Sequence, residues 1–260
     1  MIPKKRLGQH FLNDDNIAAK IAGSFCGHYK TIVEVGPGTG ALSKFLLNDD
    51  RFVPYFFEID PEAVSFLEKK FPEIKDKIIL SDFLEADLSF IPAPFGLIGN
   101  FPYNIGSQIL FRVLEYRDSI PEVVGMFQKE FAERIASKPG TRESGILSIL
   151  LQAYYSIEYL FTVSENVFFP KPKVKSAVIR MKRNEVRSLD CDEKVFQSVV
   201  KQAFNQRRKT LRNALRSCLP EKTDDIADLL QKRAEQLTIQ DFIRLAKNVS
   251  PNGKIHNFAP

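Results

Sequence analysis

The chain has 260 residues, 44% hydrophobic and 27% charged, a globular balance with room for one large domain and one small one. Three scattered cysteines (Cys26, Cys191, Cys218) make no CxxC pair, which argues against a zinc or dithiol site. No run is apolar and long enough to span a bilayer, and the basic start Met1-Ile2-Pro3-Lys4-Lys5-Arg6 leads into no signal-peptide core.

In chain order, Asp14 to Phe25 has the spacing of a helix, with Ile17, Ile21 and Phe25 on one face. Thr31 to Val35 is a β-branched run that ends in glycines, and Ala41 to Leu47 is helical again. Val53 to Ile59 has strand character, and Pro61 fits the first turn of the next helix. Lys77 to Leu80, Phe95 to Ile98 and Glu122 to Phe127 are further strands, and Ile105 to Leu114 is a helix. This alternation predicts an α/β fold, a doubly wound Rossmann-like sheet of mostly parallel strands. Past Ser164 the texture changes. Two prolines break Phe168 to Val174, then Val174 to Met181 reads as a strand, antiparallel at the end of the sheet. From Glu193 onward Val195, Val199 and Ala203, then Leu211 and Leu215, then Ile226, Leu229 and Leu230, then Phe242, Leu245 and Ala246 recur at helical spacing. The expected organisation is a catalytic domain over 1–184 and a small all-helical domain over 185–260.

The net charge of +5 is unevenly placed. Fourteen Lys/Arg against four Asp/Glu fall between Pro170 and Arg216, as expected of a surface that binds a polyanion.

The loop Glu34-Val35-Gly36-Pro37-Gly38-Thr39-Gly40 sits between a strand and a helix, where glycines let the backbone turn sharply and approach a ligand. The loop alone also fits a nicotinamide dinucleotide site and hence an oxidoreductase. Three acidic residues favour S-adenosylmethionine. Glu34 stands two residues before Gly36, Glu58 closes the next strand where a carboxylate can take both ribose hydroxyls, and Asp82 closes the third where it can accept from the adenine amine.

Asn100-Phe101-Pro102-Tyr103 follows the fourth strand. The N6 amine of adenine is a poor nucleophile because its lone pair is delocalised into the ring. The Asn100 side-chain oxygen and a backbone carbonyl near Phe101 or Pro102 can accept its two N–H bonds, localise the lone pair and aim it at a sulfonium methyl. Tyr103 offers a face for stacking an extruded base. Methyl transfer needs no metal, and none is expected.

Taken together these segments resemble the KsgA/RsmA ribosomal RNA adenine dimethyltransferases. The matching pieces are Leu7-Gly8-Gln9-His10-Phe11-Leu12, the Gly36 loop, Asn100 to Tyr103, Phe168-x-Pro170-x-Pro172-Lys173-Val174, and Ala203 to Asn213 with its core Asn205-Gln206-Arg207-Arg208-Lys209. The resemblance implies cofactor contacts at His10, Leu12, Gly36, Glu58, Asp82 and Asn100, and a target base held by Asn100, Pro102, Tyr103 and Phe168. It implies dimethylation of N6 of two adjacent adenosines in a hairpin loop near the 3′ end of 16S rRNA, late in small-subunit assembly. Arg207, Arg208, Lys209 and Arg212 are candidate phosphate contacts, although Arg207 and Arg208 cannot both face the same way on a helix. Phe101 stands where the family usually has Leu, and His10, often Asn in relatives, keeps the capacity to donate to a cofactor carboxylate. The expected setting is the cytoplasm and the expected partner an immature small subunit met by a monomer, with no membrane role. Two rivals share part of this pattern. One is a resistance-type methyltransferase of large-subunit adenine, which lacks the 203–213 block, and the other is an RNA-binding assembly factor with dispensable catalysis.

Overall fold

The computed structural model describes residues 1–249, and the last part of the predicted helical domain, 250–260, lies outside the described residues. The elements are β1 (Phe11–Leu12), α1 (Asp15–Ala22), β2 (Thr31–Val35), α2 (Ser43–Leu47), β3 (Val53–Glu58), α3 (Pro61–Lys70), β4 (Ile78–Leu80), β5 (Phe95–Asn100), α4 (Gly106–Glu115), β6 (Glu122–Gln128), α5 (Lys129–Ala136), α6 (Ile146–Gln152), β7 (Tyr155–Val163), β8 (Phe168–Phe169), β9 (Ser176–Arg183), α7 (Glu193–Asn205), α8 (Leu211–Ala214), α9 (Ala227–Leu230) and α10 (Ile239–Asn248). No helix among the described residues is long and apolar enough to cross a membrane.

Contacts divide the chain into two compact units, Met1–Glu133 with Ser156–Arg183, and Arg134–Tyr155 with the chain from Asn184 onward. A single cut near residue 184 therefore does not describe the grouping, because 134–155 goes with the C-terminal helices. The sequence offered no linker signal at either end of that excursion.

The first unit is built on a seven-stranded sheet of order β4-β3-β2-β5-β6-β9-β7. β2 pairs in parallel with β3 and β5, β3 with β4, and β5 with β6, whereas β9 runs antiparallel to β6. β9 was expected at the sheet end, but β7 lies outside it. Its pattern of buried and exposed residues, such as buried Tyr155 and exposed Ser156, is broken by half-buried positions, so no clean alternation marks it. Every residue of β2 is buried, as a central parallel strand covered on both faces requires. Side-chain caps set the helix starts. Asp14 accepts from Ile17 N at 3.0 Å, which begins α1 one residue later than the apolar spacing alone suggests. Asp60 accepts from Glu62 N at 3.0 Å and Pro61 takes the first turn of α3. The strand order reverses between β2 and β5, so the chain ends leaving those two strands splay to opposite sides and open a crevice.

The second unit is helical. Asp192 caps α7 through Lys194 N and Val195 N, and Thr238 with Asp241 forms a reciprocal cap on α10. α7 packs on α10 through Phe204 and Phe242, whose ring centres lie 5.9 Å apart. Phe196, Leu211, Leu215, Ile226, Leu229, Leu230 and Phe242 are buried, which accounts for the helical spacing in the sequence.

Candidate active site

The crevice at the carboxyl ends of β2, β3 and β5 is a pocket in the first unit, lined by residues of the segment from Arg6 to Leu12, the Gly36 loop, Glu58 and Ile59, Ser81 to Leu84, and Asn100 to Ile105. Of the cofactor and base-binding residues expected from sequence, it brings together His10, Leu12, Gly36, Glu58, Asp82, Asn100, Pro102 and Tyr103.

Gly36, Gly38 and Gly40 have φ of +68°, +55° and +75°, values that L side chains rarely adopt. A methyl at Gly36 would meet nothing within 4 Å, so the space beside this backbone is the pocket itself. The loop is fastened by Gly36 N donating to the Phe57 carbonyl at 2.8 Å and by Gly38 N donating to Glu58 Oε2 at 3.0 Å. The other oxygen of Glu58 accepts from Ile59 N and Asp60 N at 2.9 and 3.0 Å. Burial pushes the Glu58 carboxyl above its ordinary value, and these N–H donors pull it back, so the same contacts that shape the loop favour the charged form. Glu34 is more deeply enclosed. Its carboxylate accepts from Ser43 Oγ at 2.7 Å, and burial, with the neighbouring charge of Glu58, pushes its pKa to about 8 against that bond. Asp82 accepts from Leu84 N at 2.9 Å, which turns the chain after β4 and places the carboxylate on the pocket wall.

Asn100 ends β5, and its Nδ2 donates to the His10 carbonyl at 2.8 Å. That bond commits the nitrogen and leaves Oδ1 as an acceptor. The Pro102 carbonyl accepts from Ile105 N at 3.2 Å, whereas the Phe101 carbonyl accepts no hydrogen bond among the described residues. Of the two carbonyls open in the sequence, Phe101's is wholly unengaged among the described residues and Pro102's keeps one lone pair. The Phe101 ring is itself buried, 5.1 Å from the Phe127 ring centre. Gly99 and Gly125 make room for it, since a methyl at either would come within 2.5 Å of the ring. The larger side chain where the family has Leu is thus absorbed beneath the site.

Tyr103 is fixed on two sides. Its hydroxyl lies 2.6 Å from Ser176 Oγ, and its ring stacks on His10 with centroids 5.4 Å apart. Burial raises the Tyr103 pKa, with the Ser176 bond opposing, so the phenol stays neutral. His10 Nδ1 lies 2.7 Å from the Pro170 carbonyl, which can only accept, so Nδ1 carries the proton. The neutral ring therefore spends its one donor on Pro170, and donation to a cofactor carboxylate through Nε2 requires the doubly protonated ring.

Phe168 is not drawn into the pocket. It is 5% exposed and packs in the core with Leu12, Ile21 and Phe25. In the antiparallel pair of β1 and β8, Leu12 faces Phe168 and Phe11 faces Phe169, and opposed residues share a face of the ladder. Leu12 and Phe168 take the core side.

The basic residues of the second unit also separate. Arg207 Nε donates to Glu235 Oε2 at 2.7 Å and its guanidinium also bonds the Arg142 carbonyl. Arg208, Lys209 and Arg212 are exposed in and after the turn that links α7 to α8. Sequence reasoning missed Ile59, which follows Glu58, lines the pocket and is 48% exposed to solvent. The sequence pattern carries the strand through Ile59, whereas β3 ends at Glu58; a branched apolar residue between Glu58 and Asp60 was the available signal.

A glycine loop after the first parallel strand of a Rossmann-like sheet, carboxylates closing the next two, and an asparagine closing the fourth define an S-adenosylmethionine-dependent methyltransferase. The bare backbone at Gly36 and the acceptors on Glu58 and Asp82 fit that cofactor. Residues 3–250 match the family described as ribosomal RNA adenine dimethylase, and the chain belongs to that family. It is similar to the ribosomal RNA small subunit methyltransferase A of Cytophaga hutchinsonii, with 54% identity over 250 residues, 95% of this chain and 97% of that one. The protein of the same description from Flavobacterium johnsoniae is 52% identical over 255 residues, 96% of this chain and 97% of its own. Among solved structures, the 23S rRNA methyltransferase ErmE superposes with a TM-score of 0.70 at 26% identity, covering 90% of this chain and 97% of that one. A dimethyladenosine transferase from Plasmodium falciparum shares the fold, with a TM-score of 0.76 at 23% identity over 91% of this chain and 96% of its own.

Proposed function

We propose that this enzyme dimethylates N6 of two adjacent adenosines near the 3′ end of 16S rRNA in an immature small ribosomal subunit, acting as a monomer in the cytoplasm. The observation that carries the reading is the paired acceptor at the end of β5: Asn100 Oδ1, freed by the bond from Nδ2 to His10, beside the unengaged Phe101 carbonyl. Two acceptors, both lacking a proton to give, suit an amine with two N–H bonds and exclude a keto oxygen at the same point. Tyr103, held by Ser176, offers the stacking face.

S-adenosylmethionine supplies an electrophilic methyl on a cationic sulfur. The protein's part is to bind and orient. Glu58 and Asp82 take the cofactor's hydroxyls and amine, and the Gly36 backbone admits it closely. Asn100 and the Phe101 carbonyl hold the adenine amine so that its lone pair is localised on nitrogen, out of conjugation with the ring π system, and faces the methyl. Each transfer leaves a cationic N6 that releases a proton to water; after the first, a single N–H remains, and one of the two acceptors suffices for the second transfer.

The small-subunit substrate is supported by relatives above 50% identity described as small subunit methyltransferase A, against 26% for the large-subunit enzyme ErmE. Exposed Arg208, Lys209 and Arg212 are suited to phosphate contact. Arg207 is placed to brace the turn that carries them. Phe168, in its core position, supports β1 and through it His10, and stacking on the base would require its ring to leave the core.

The test is methyl transfer to small and large subunits isolated from cells lacking this protein, with nucleosides identified by mass spectrometry. The reading expects N6,N6-dimethyladenosine in the small-subunit RNA alone, and loss of about 10²–10³ in rate for Asn100→Ala with cofactor affinity retained. Product in large-subunit RNA, or an Asn100→Ala enzyme of full activity, overturns it.

A further inference from the structure

Phe168 and Phe169 are adjacent, and the fold treats them oppositely. Phe168 is 5% exposed, whereas Phe169 is 58% exposed, a large apolar ring left in water. The ladder register says which way it faces. Phe169 is the cross-strand partner of Phe11, so the two share the face opposite Leu12 and Phe168. Phe11 lines the pocket and its ring lies 3.1 Å from where a methyl on Gly38 would stand. The next residue, Pro170, holds His10, and His10 stacks on Tyr103. Phe169 thus stands outside the pocket wall but beside its lining residue Phe11, one residue from the Pro170 contact that orders His10.

The segment after Phe169 is basic and exposed. Lys171, Lys173, Val174 and Lys175 all reach solvent, with Val174 a second apolar surface at 45%. Lys171 is engaged by Asn166 at 2.6 Å and by Glu165 at 3.6 Å. Lys173 and Lys175 form no ion pair with any described residue. The backbone under them is anchored, since Lys129 N donates to the Lys175 carbonyl at 2.9 Å and Lys175 leads directly into β9. An exposed ring next to solvent-facing ammonium groups, Lys173 with no ion pair and Lys175 with only a longer-range attraction to Glu165, on a fixed loop is the composition that binds single-stranded nucleic acid: the ring stacks a base and the cations follow its phosphates.

We propose that Phe169, with Lys173 and Lys175, is a docking platform for an unpaired nucleotide that adjoins the target adenosine in the RNA. This rests on the RNA substrate proposed above. One adenosine occupies the pocket at a time, and its neighbour, also unpaired in a hairpin loop, must lie somewhere outside it. Stacking that neighbour on Phe169 holds the strand against the mouth of the site and limits how far the target base can withdraw. The ring is a substrate-positioning group and takes no part in the methyl transfer.

The experiment uses small-subunit particles reconstituted with 2-aminopurine at one or the other position adjoining the target adenosine, and the full-length enzyme. Binding of the wild-type protein should quench 2-aminopurine at one of the two positions through stacking. Phe169→Ala should abolish the quench and raise the KM for particles about tenfold or more, while Phe169→Trp restores both. Affinity for S-adenosylmethionine should be unchanged in all three proteins, because Phe169 lies outside the pocket wall. Lys173→Ala with Lys175→Ala should flatten the salt dependence of particle binding by about one to two counterions. A wild-type protein that quenches at neither position, or a Phe169→Ala protein that matches wild type in quench and KM, overturns the proposal. The quench requires binding and no methylation, so it is read separately from the activity: a protein that methylates the particles without quenching contradicts the platform alone, and one that methylates no particle contradicts the function.

Discussion

Gly36→Ala separates the two demands placed on the glycine loop. An L residue at a φ of +68° is strained by about 1–2 kcal/mol. No atom lies within 4 Å of the added methyl, so no packing penalty joins that strain. For a chain of this size, the melting temperature should fall by only about 2–8 °C. The methyl, however, occupies space on the pocket side, where S-adenosylmethionine must approach the backbone. Crowding of that kind costs about 1–3 kcal/mol, which weakens cofactor binding roughly 5- to 150-fold. Gly99→Ala is the matched control. Its methyl would stand 2.5 Å from the Phe101 ring and 2.8 Å from the Val35 carbonyl, so the loss should appear as instability. Calorimetric titration with S-adenosylmethionine and thermal unfolding, run on both variants, give the comparison. A Gly36→Ala protein that binds the cofactor as wild type does, or that is less stable than Gly99→Ala, would refute the reasoning.

Ser176→Ala removes the partner of the Tyr103 hydroxyl and should lower kcat about fivefold with the cofactor affinity unchanged, as the loss of one hydrogen bond allows; an effect confined to the cofactor Kd would contradict a role in holding Tyr103. Glu34 is an acid whose folded pKa, about 8, lies above its unfolded value near 4.5, so the folded state binds more protons than the unfolded state between those values. Its contribution is complete below pH 4.5 and falls as pH rises toward 8, and Glu34→Gln should remove that decline from urea unfolding curves of the cofactor-free protein measured between pH 5 and 9. Identical pH slopes in the two proteins would show that Glu34 is ionised when folded. Arg207→Ala should lower stability and leave the salt slope of RNA binding nearly unchanged, while Arg208→Ala should reduce that slope by about one with little change in melting temperature. The reverse pattern would exchange their roles.

The parallel sheet was legible because β2, β5 and β6 are buried on both faces, and β3 over its last three residues, so that they stand out as mostly apolar runs between glycine, proline or acidic punctuation. Glu58 and Asn100 were legible as candidate site residues because each is a polar residue at the carboxyl end of such a run, and Asp82 because it follows the short, partly covered β4, positions where this fold places side chains toward a ligand. β7 escaped because its side chains are unevenly covered, and the grouping of 134–155 with the C-terminal helices escaped because contacts distant in sequence decide it. Phe168 and Phe169 could not be told apart from composition. Register in a two-residue ladder sends one ring to the core and the other to solvent, and a shift of one residue would reverse them. Arg207 was likewise indistinguishable from Arg208 until Glu235, 28 residues away in sequence, was placed beside it.

The most direct test of the account is a crystal structure of the enzyme with an adenosine nucleotide and a non-reactive S-adenosylmethionine analogue. The expected complex has the cofactor ribose on Glu58, and the adenine N6 within hydrogen-bonding distance of both Asn100 Oδ1 and the Phe101 carbonyl, facing the sulfur substituent. An adenine amine bonded elsewhere, with Asn100 turned away from it, would contradict the claim that these two acceptors prepare the nitrogen for methylation.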